Sequence, residues 1–133
     1  MLSLFNTSLS SRIMAFIVLP IKSDNSNYMQ LEARDGVLEG TGIYKDKEFA
    51  IMKWHMTKGV KIIEHIHREC NEWIILVSGK LKLVWENNER ILNPCDYLCF
   101  NINVPHFGEA IEESVALTIT MPADEGYPNV TGR

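Results

Sequence analysis

Two histidines and a glutamate sit inside one fixed spacing: Gly59, five residues, His65, one residue, His67, four residues, Glu72, six residues, Gly79. The chain's own frequencies of Gly, His and Glu give a chance match on the order of a few in 10⁵. The spacing has a physical reason. Successive side chains of a β-strand point to opposite faces, so His65 and His67 project from the same face within reach of one atom. Ile62 and Ile66 are then expected to face the other way, into apolar packing. A turn over residues 68–71 brings Glu72 back beside the imidazoles, so that one hairpin supplies three ligands. Two neutral imidazoles and a carboxylate suit a divalent first-row metal, and they leave positions open for water, substrate or a further ligand. Fe, Mn, Zn, Ni, Co and Cu are all compatible with such donors, which leaves the metal's identity open. Glu72 has a second reading as a general base beside an open metal position.

A fourth histidine ends the stretch Asn93-Pro94-Cys95-Asp96-Tyr97-Leu98-Cys99-Phe100-Asn101-Ile102-Asn103-Val104-Pro105-His106. Together the two stretches resemble the paired motifs of the cupin superfamily, small metal-binding β-barrels of jelly-roll type, here in a small single-domain form. The first motif agrees at every signature position. The resemblance implies that His65, His67 and Glu72 are the first three ligands and His106 the fourth, with Glu72 and His106 the candidate catalytic groups. In the second motif Asp96, Pro105 and His106 agree, whereas Cys95, Asn101 and Asn103 replace the usual Gly, Pro and Gly. Asn tolerates left-handed backbone, so Asn103 is expected to stand in for a turn glycine at modest cost. Cys95 puts its own turn in question. The resemblance covers roughly residues 46 to 121 and implies metal-dependent chemistry on a small polar organic molecule. Oxygenation leads, ahead of isomerase or lyase chemistry, and a non-catalytic ligand-binding barrel is the alternative.

The elements that must position these residues are strands. In the run 49–56, Met52, Trp54 and Met56 alternate with Ile51, Lys53 and His55, which sets His55 away from the apolar face as a surface residue. Leu81, Leu83 and Trp85 alternate after a Ser78-Gly79 turn, Glu86-Asn87-Asn88-Glu89 makes the next turn, and a hairpin meander is expected. Val115, Leu117 and Ile119 alternate with Ala116, Thr118 and Thr120 until Pro122 stops the strand. Short strands bounded by turn residues indicate an all-β barrel, a double-stranded β-helix or jelly roll. Among the aromatic residues Trp54, Trp73, Trp85 and Phe100 read as core, and Phe107 is placed at the pocket mouth.

The 133 residues suit one domain: a leader over residues 1–12, a barrel over 13–121 and a polar tail over 122–133 that wraps the surface or frays. Met14 is a candidate start. The apolar run Ile13–Leu19 lacks a basic flank and a cleavage pattern, and it is too short to span a bilayer. It reads as an edge strand available to a partner copy, which implies a homodimer. A net charge of −4 without a basic stripe argues against nucleic acid and against an anionic membrane as partner. Cys70, Cys95 and Cys99 form no disulfide framework, and a reducing cytoplasm is the simpler compartment.

Overall fold

The computed structural model describes residues 20–23 and 27–130; the expected leader and the run Ile13–Leu19 lie outside them. Twelve strands follow in chain order among the described residues: β1 (Pro20–Ser23), β2 (Tyr28–Leu31), β3 (Ala33–Arg34), β4 (Leu38–Lys45), β5 (Ala50–Met56), β6 (Lys61–His65), β7 (Asn71–Ser78), β8 (Leu81–Trp85), β9 (Asn88–Leu92), β10 (Tyr97–Phe100), β11 (His106–Ala110) and β12 (Ser114–Met121). They form a seven-stranded sheet, β1-β2-β4-β5-β12-β7-β10, and a five-stranded sheet, β3-β6-β11-β8-β9. Every recorded pairing is antiparallel. This is the jelly-roll barrel expected from the sequence.

Period-two patterning builds the core. Met52, Trp54 and Met56 of β5 are buried, as are Glu72, Ile74 and Leu76 of β7, and they meet Leu81, Leu83 and Leu92 from the other sheet. On β12 the buried face is the small and polar one, Ser114, Ala116, Thr118 and Thr120, while Val115, Leu117 and Ile119 turn outward. Short side chains there leave room between the sheets, and that room becomes the cavity described below.

Two expectations about the first motif are corrected. β6 and β7 are not a hairpin, because β6 belongs to the five-stranded sheet and β7 to the seven-stranded one. The turn after His65 crosses between sheets and sets His65 and Glu72 on opposite walls. The expected meander fails at the same kind of crossing from β7 to β8, and of these three strands β8 and β9 alone pair as a hairpin. Ile62, expected to face away from the histidines, lines the same cavity as His65. The cause is a bulge: His106 lies opposite His65 and Gly108 opposite Ile62, so two steps on β11 face three on β6. The extra residue resets the alternation, and Ile63 and Glu64 together stand against Phe107.

The turns explain two of the three departures in the second motif. Asn103 has φ 67° and Cys95 has φ 77°, both left-handed. Cys95 is held there because its amide donates to Leu76 O at 2.8 Å, and the next amide, of Asp96, donates to Asn93 O at 2.9 Å. Gly79, the last residue of the first motif, is fixed on two grounds: its φ is 92°, and a Cβ there would overlap Glu113 O and Ser114 Oγ. No helix among the described residues is long and apolar enough to cross a membrane.

Candidate metal centre

His65 closes β6 directly opposite His106, which opens β11. Glu72 lies on β7 between Phe100 of β10 and Thr120 of β12. His67 follows the end of β6, and its carbonyl accepts the Asn103 amide at 2.8 Å, so the left-handed Asn103 turn anchors the backbone at this ligand. The four expected ligands converge. One donor atom from each of His65, His67, Glu72 and His106 lies within 4.8 Å of the others. Phe100 stacks flat on His106, with ring centroids 4.0 Å apart and planes 6° from parallel, and fixes that imidazole's plane.

Each imidazole is oriented through its Nδ1. That of His65 donates to Ile63 O at 2.7 Å, that of His106 to Val104 O at 2.9 Å, and that of His67 to Asp124 Oδ2 at 2.9 Å. All three acceptors lack a proton, so each Nδ1 carries the hydrogen and a neutral ring has its lone pair on Nε2. His67 Nε2 is buried without a hydrogen-bond partner: Glu72 Oε1 lies 3.3 Å away but outside bonding geometry. His106 Nε2 is 3.1 Å from the same oxygen. A buried nitrogen without a partner carries a desolvation penalty that a bound cation would remove. The donors fit a divalent transition metal.

Without a metal, His67 holds at Nε2 a proton that a bound cation would displace. Burial, reinforced by His106, pushes His65 down to about 4, so its ring is neutral at neutral pH with a lone pair available on Nε2. Burial opposes a charge on His67, but Glu72 and the hydrogen bond to Asp124 overcome it and raise the group to about 12. Burial likewise opposes the charge on Glu72, yet His67 and His106 hold the carboxyl well below its ordinary value. Asp124 is lowered too, by His67 against its own burial. An ionised Glu72 and an ionised Asp124 around one protonated imidazole leave a net negative pocket for a dication.

Two residues of the site were missed in the sequence. Asp124 and Tyr127 come from the segment expected to wrap the surface or fray, and instead Tyr127 is 8% exposed and inserts beneath the barrel mouth. Its hydroxyl lies 3.3 Å from Glu72 Oε2 and 3.3 Å from Thr118 Oγ1, and Trp54 Nε1 donates to Thr118 Oγ1 at 2.8 Å. One direction satisfies every atom: Trp54 N–H to Thr118, Thr118 O–H to Tyr127, Tyr127 O–H to Glu72. Burial, then the charge of Glu72, raises Tyr127 well above its ordinary value and keeps it a donor. No local motif announced this; the sole sequence signal was an aromatic residue in an otherwise polar tail.

The four ligands border a cavity of about 900 Å³. Its walls include Leu38, Trp54, Met56, Ile74, Leu81 and Leu83, with Lys47, Arg68, Glu69 and Glu125 among the charged groups that also border it. Phe107 borders it and is 40% exposed.

The cupin domain family matches residues 52–121, more than half of the chain. The chain belongs to the cupin family. This cupin has no match among curated proteins. Its fold is shared by KdgF from Halomonas sp., 17% identical, covering 64% of this cupin and 78% of that chain at a TM-score of 0.62. An RmlC-like cupin from Shewanella frigidimarina is 16% identical, covering 84% of this cupin and 88% of that chain at a TM-score of 0.60. The DMSP lyase DddQ from Ruegeria pomeroyi is 22% identical, covering 65% of this cupin but 44% of that chain, at a TM-score of 0.57.

Proposed function

We propose that this cupin is a metal-dependent enzyme that holds one divalent transition metal through His65, His67, Glu72 and His106 and acts on a small organic molecule. The observation that carries the reading is the buried His67 Nε2 without a partner, set among two further imidazoles and a carboxylate beside a cavity of about 900 Å³. A metal held there supplies Lewis acidity and, if it is a redox metal, one-electron chemistry. The chain's residues do the rest. Glu72 turns Oε1 toward the imidazoles and has Oε2 taken by Tyr127. The apolar walls exclude water from the substrate's body. The expected polar substrate gives way, on those walls, to a molecule with an apolar body and one or two donor atoms for the metal.

Oxygenation is the leading chemistry, because it needs the open positions and dry walls but no further acid or base. Isomerase or lyase chemistry is the second reading, supported by the Tyr127 hydroxyl beside Glu72, which can exchange a proton with substrate. Non-catalytic ligand binding makes a different forecast, a ligand recovered unchanged after incubation in air with metal. Elemental mass spectrometry of untagged protein beside His65→Ala is the first test. Near one equivalent of metal, lost in the variant, supports the enzyme reading; no metal after reconstitution overturns it. Iron then directs a screen of oxygen consumption, and zinc, manganese or nickel a screen for isomerases and lyases.

The cytoplasm fits three cysteines that are all free. A homodimer is supported by the outward apolar row Val115, Leu117 and Ile119 on β12. Sedimentation giving a monomer at micromolar concentration would exclude it.

A further inference from the structure

We infer that the segment Pro122–Val130 is a working part of the metal centre, with Asp124 and Tyr127 as positioning residues that couple the docking of this segment to metal occupancy. The inference rests on the metal reading above. Asp124 is tied at both oxygens: Oδ2 accepts from His67 Nδ1 at 2.9 Å, and Oδ1 accepts the Gly126 amide at 2.8 Å. Its own amide donates to Thr120 Oγ1 at 3.0 Å, and its carbonyl accepts the Tyr127 amide at 3.1 Å. The turn that presents the carboxylate to His67 therefore also aims the Tyr127 ring inward. That ring meets Trp54 edge-on at 6.0 Å, and Lys45 Nζ holds the Tyr127 carbonyl at 2.7 Å.

Two ligands of the four are thus set by one short segment. Asp124 fixes the tautomer of His67 that leaves Nε2 as the ligating atom, and Tyr127 occupies the second oxygen of Glu72, so that Oε1 alone faces the imidazoles. His65 and His106 take nothing from this segment, because backbone carbonyls orient them. Partners of this kind set ligand orientation and basicity, and their loss lowers metal affinity by roughly 10–100-fold. Linkage is reciprocal: whatever factor docking contributes to metal affinity, metal returns to docking.

Cobalt(II) titration against a competing chelator tests the inference, with the visible cobalt spectrum and hydrogen exchange as readouts besides affinity. Asp124→Ala is expected to weaken cobalt by about 10–100-fold and to shift the visible bands, with the far-UV circular dichroism unchanged. Asp124→Asn keeps one acceptor for His67 Nδ1 but sets its NH2 against the Gly126 amide, and it is expected to recover part of the affinity and of the band positions. Tyr127→Phe keeps the ring packing, and it is expected to alter the bands with a smaller fall in affinity. In the wild type, cobalt is expected to slow exchange at the Gly126 and Tyr127 amides by a factor of similar size, a measurement that stands even if Asp124→Ala fails to fold. Unchanged affinity and bands in folded Asp124→Ala, or cobalt-independent exchange at both amides, would overturn the inference while leaving the metal reading intact. A wild type that takes up no cobalt would overturn both.

Discussion

The barrel carries two histidine–carboxylate clusters, one inside and one outside, and their residue types are nearly the same. Outside, His55 of β5 lies between Glu39 and Glu113, with Nδ1 3.3 Å from one carboxylate and Nε2 2.6 Å from the other. The side chains of His55 and Glu113 are 35% and 69% exposed, against 2% for His106 and 6% for Glu72 inside. The hydrogen bond to Glu113 raises His55, against a little burial and with help from Glu39. Both its nitrogens have partners, so no ring atom is left over for a cation. Inside, each Nδ1 is committed to an acceptor and the Nε2 atoms converge. The difference lies in where the second ring nitrogen goes and whether water can reach it.

The largest effects should separate the clusters outright. His106→Ala or His65→Ala is expected to abolish stoichiometric metal, a loss beyond the roughly 10–100-fold expected when only an orienting partner is removed, whereas His55→Ala keeps it. Elemental analysis of the three proteins decides. Metal retained in His106→Ala and lost in His55→Ala would break the comparison.

Titration should next separate the clusters by pH window. His65, at about 4 in the folded protein, lies below its unfolded value of 6.5, so the unfolded chain takes the proton first as pH falls. That loss of stability runs from pH 6.5 to about 4. His67 lies above its unfolded value, so its contribution is full below pH 6.5 and constant across this window. The lowered Glu72 and Asp124 add further loss only below their ordinary values of 4.5 and 3.8. His55 is raised, so its contribution is present below pH 6.5 and fades as pH rises through its folded value. Urea midpoints of the metal-free protein are expected to fall between pH 6.5 and 4 with the same slope in wild type and His55→Ala, whereas above pH 6.5 the His55→Ala profile lacks the fall that His55 gives the wild type. A slope changed below pH 6.5 and unchanged above it would remove the contrast.

The interior was legible in part. The pleat spacing of His65, His67 and Glu72 and the placing of His106 survive as the converging set, because period-two alternation is local and written into the order of residue types. The left-handed Asn103 was legible for the same reason, since backbone tolerance belongs to the residue itself. The crossing between sheets after His65 was not legible, because a turn that pairs two strands and one that separates them can have the same composition. The bulge over Ile63 and Glu64 depends on the register with β11, some 40 residues away in the chain. Asp124 and Tyr127 reach the site through contacts 57 and 55 residues distant in sequence, which no periodicity records.

Thr118→Val sharpens the contrast at moderate size. It keeps the volume but breaks the path from Trp54 through Tyr127 to Glu72, leaving a buried indole N–H without an acceptor. A loss of about 1–3 kcal/mol is expected from chemical denaturation. Glu113→Gln outside is the smallest, within about 1 kcal/mol, because water screens the pair. A larger effect outside than inside would show that burial is not what distinguishes the clusters.

The way the three imidazoles are held also bears on how this protein can diverge. Two are steered by peptide carbonyls, Ile63 O at the bulge and Val104 O before β11, and no point mutation deletes a carbonyl. The third is steered by the side chain of Asp124, which one codon change removes while its neighbours stay in place. Inherited variation in metal preference among descendants of this sequence should therefore collect at His67 and its carboxylate, with the other two imidazoles as the fixed frame.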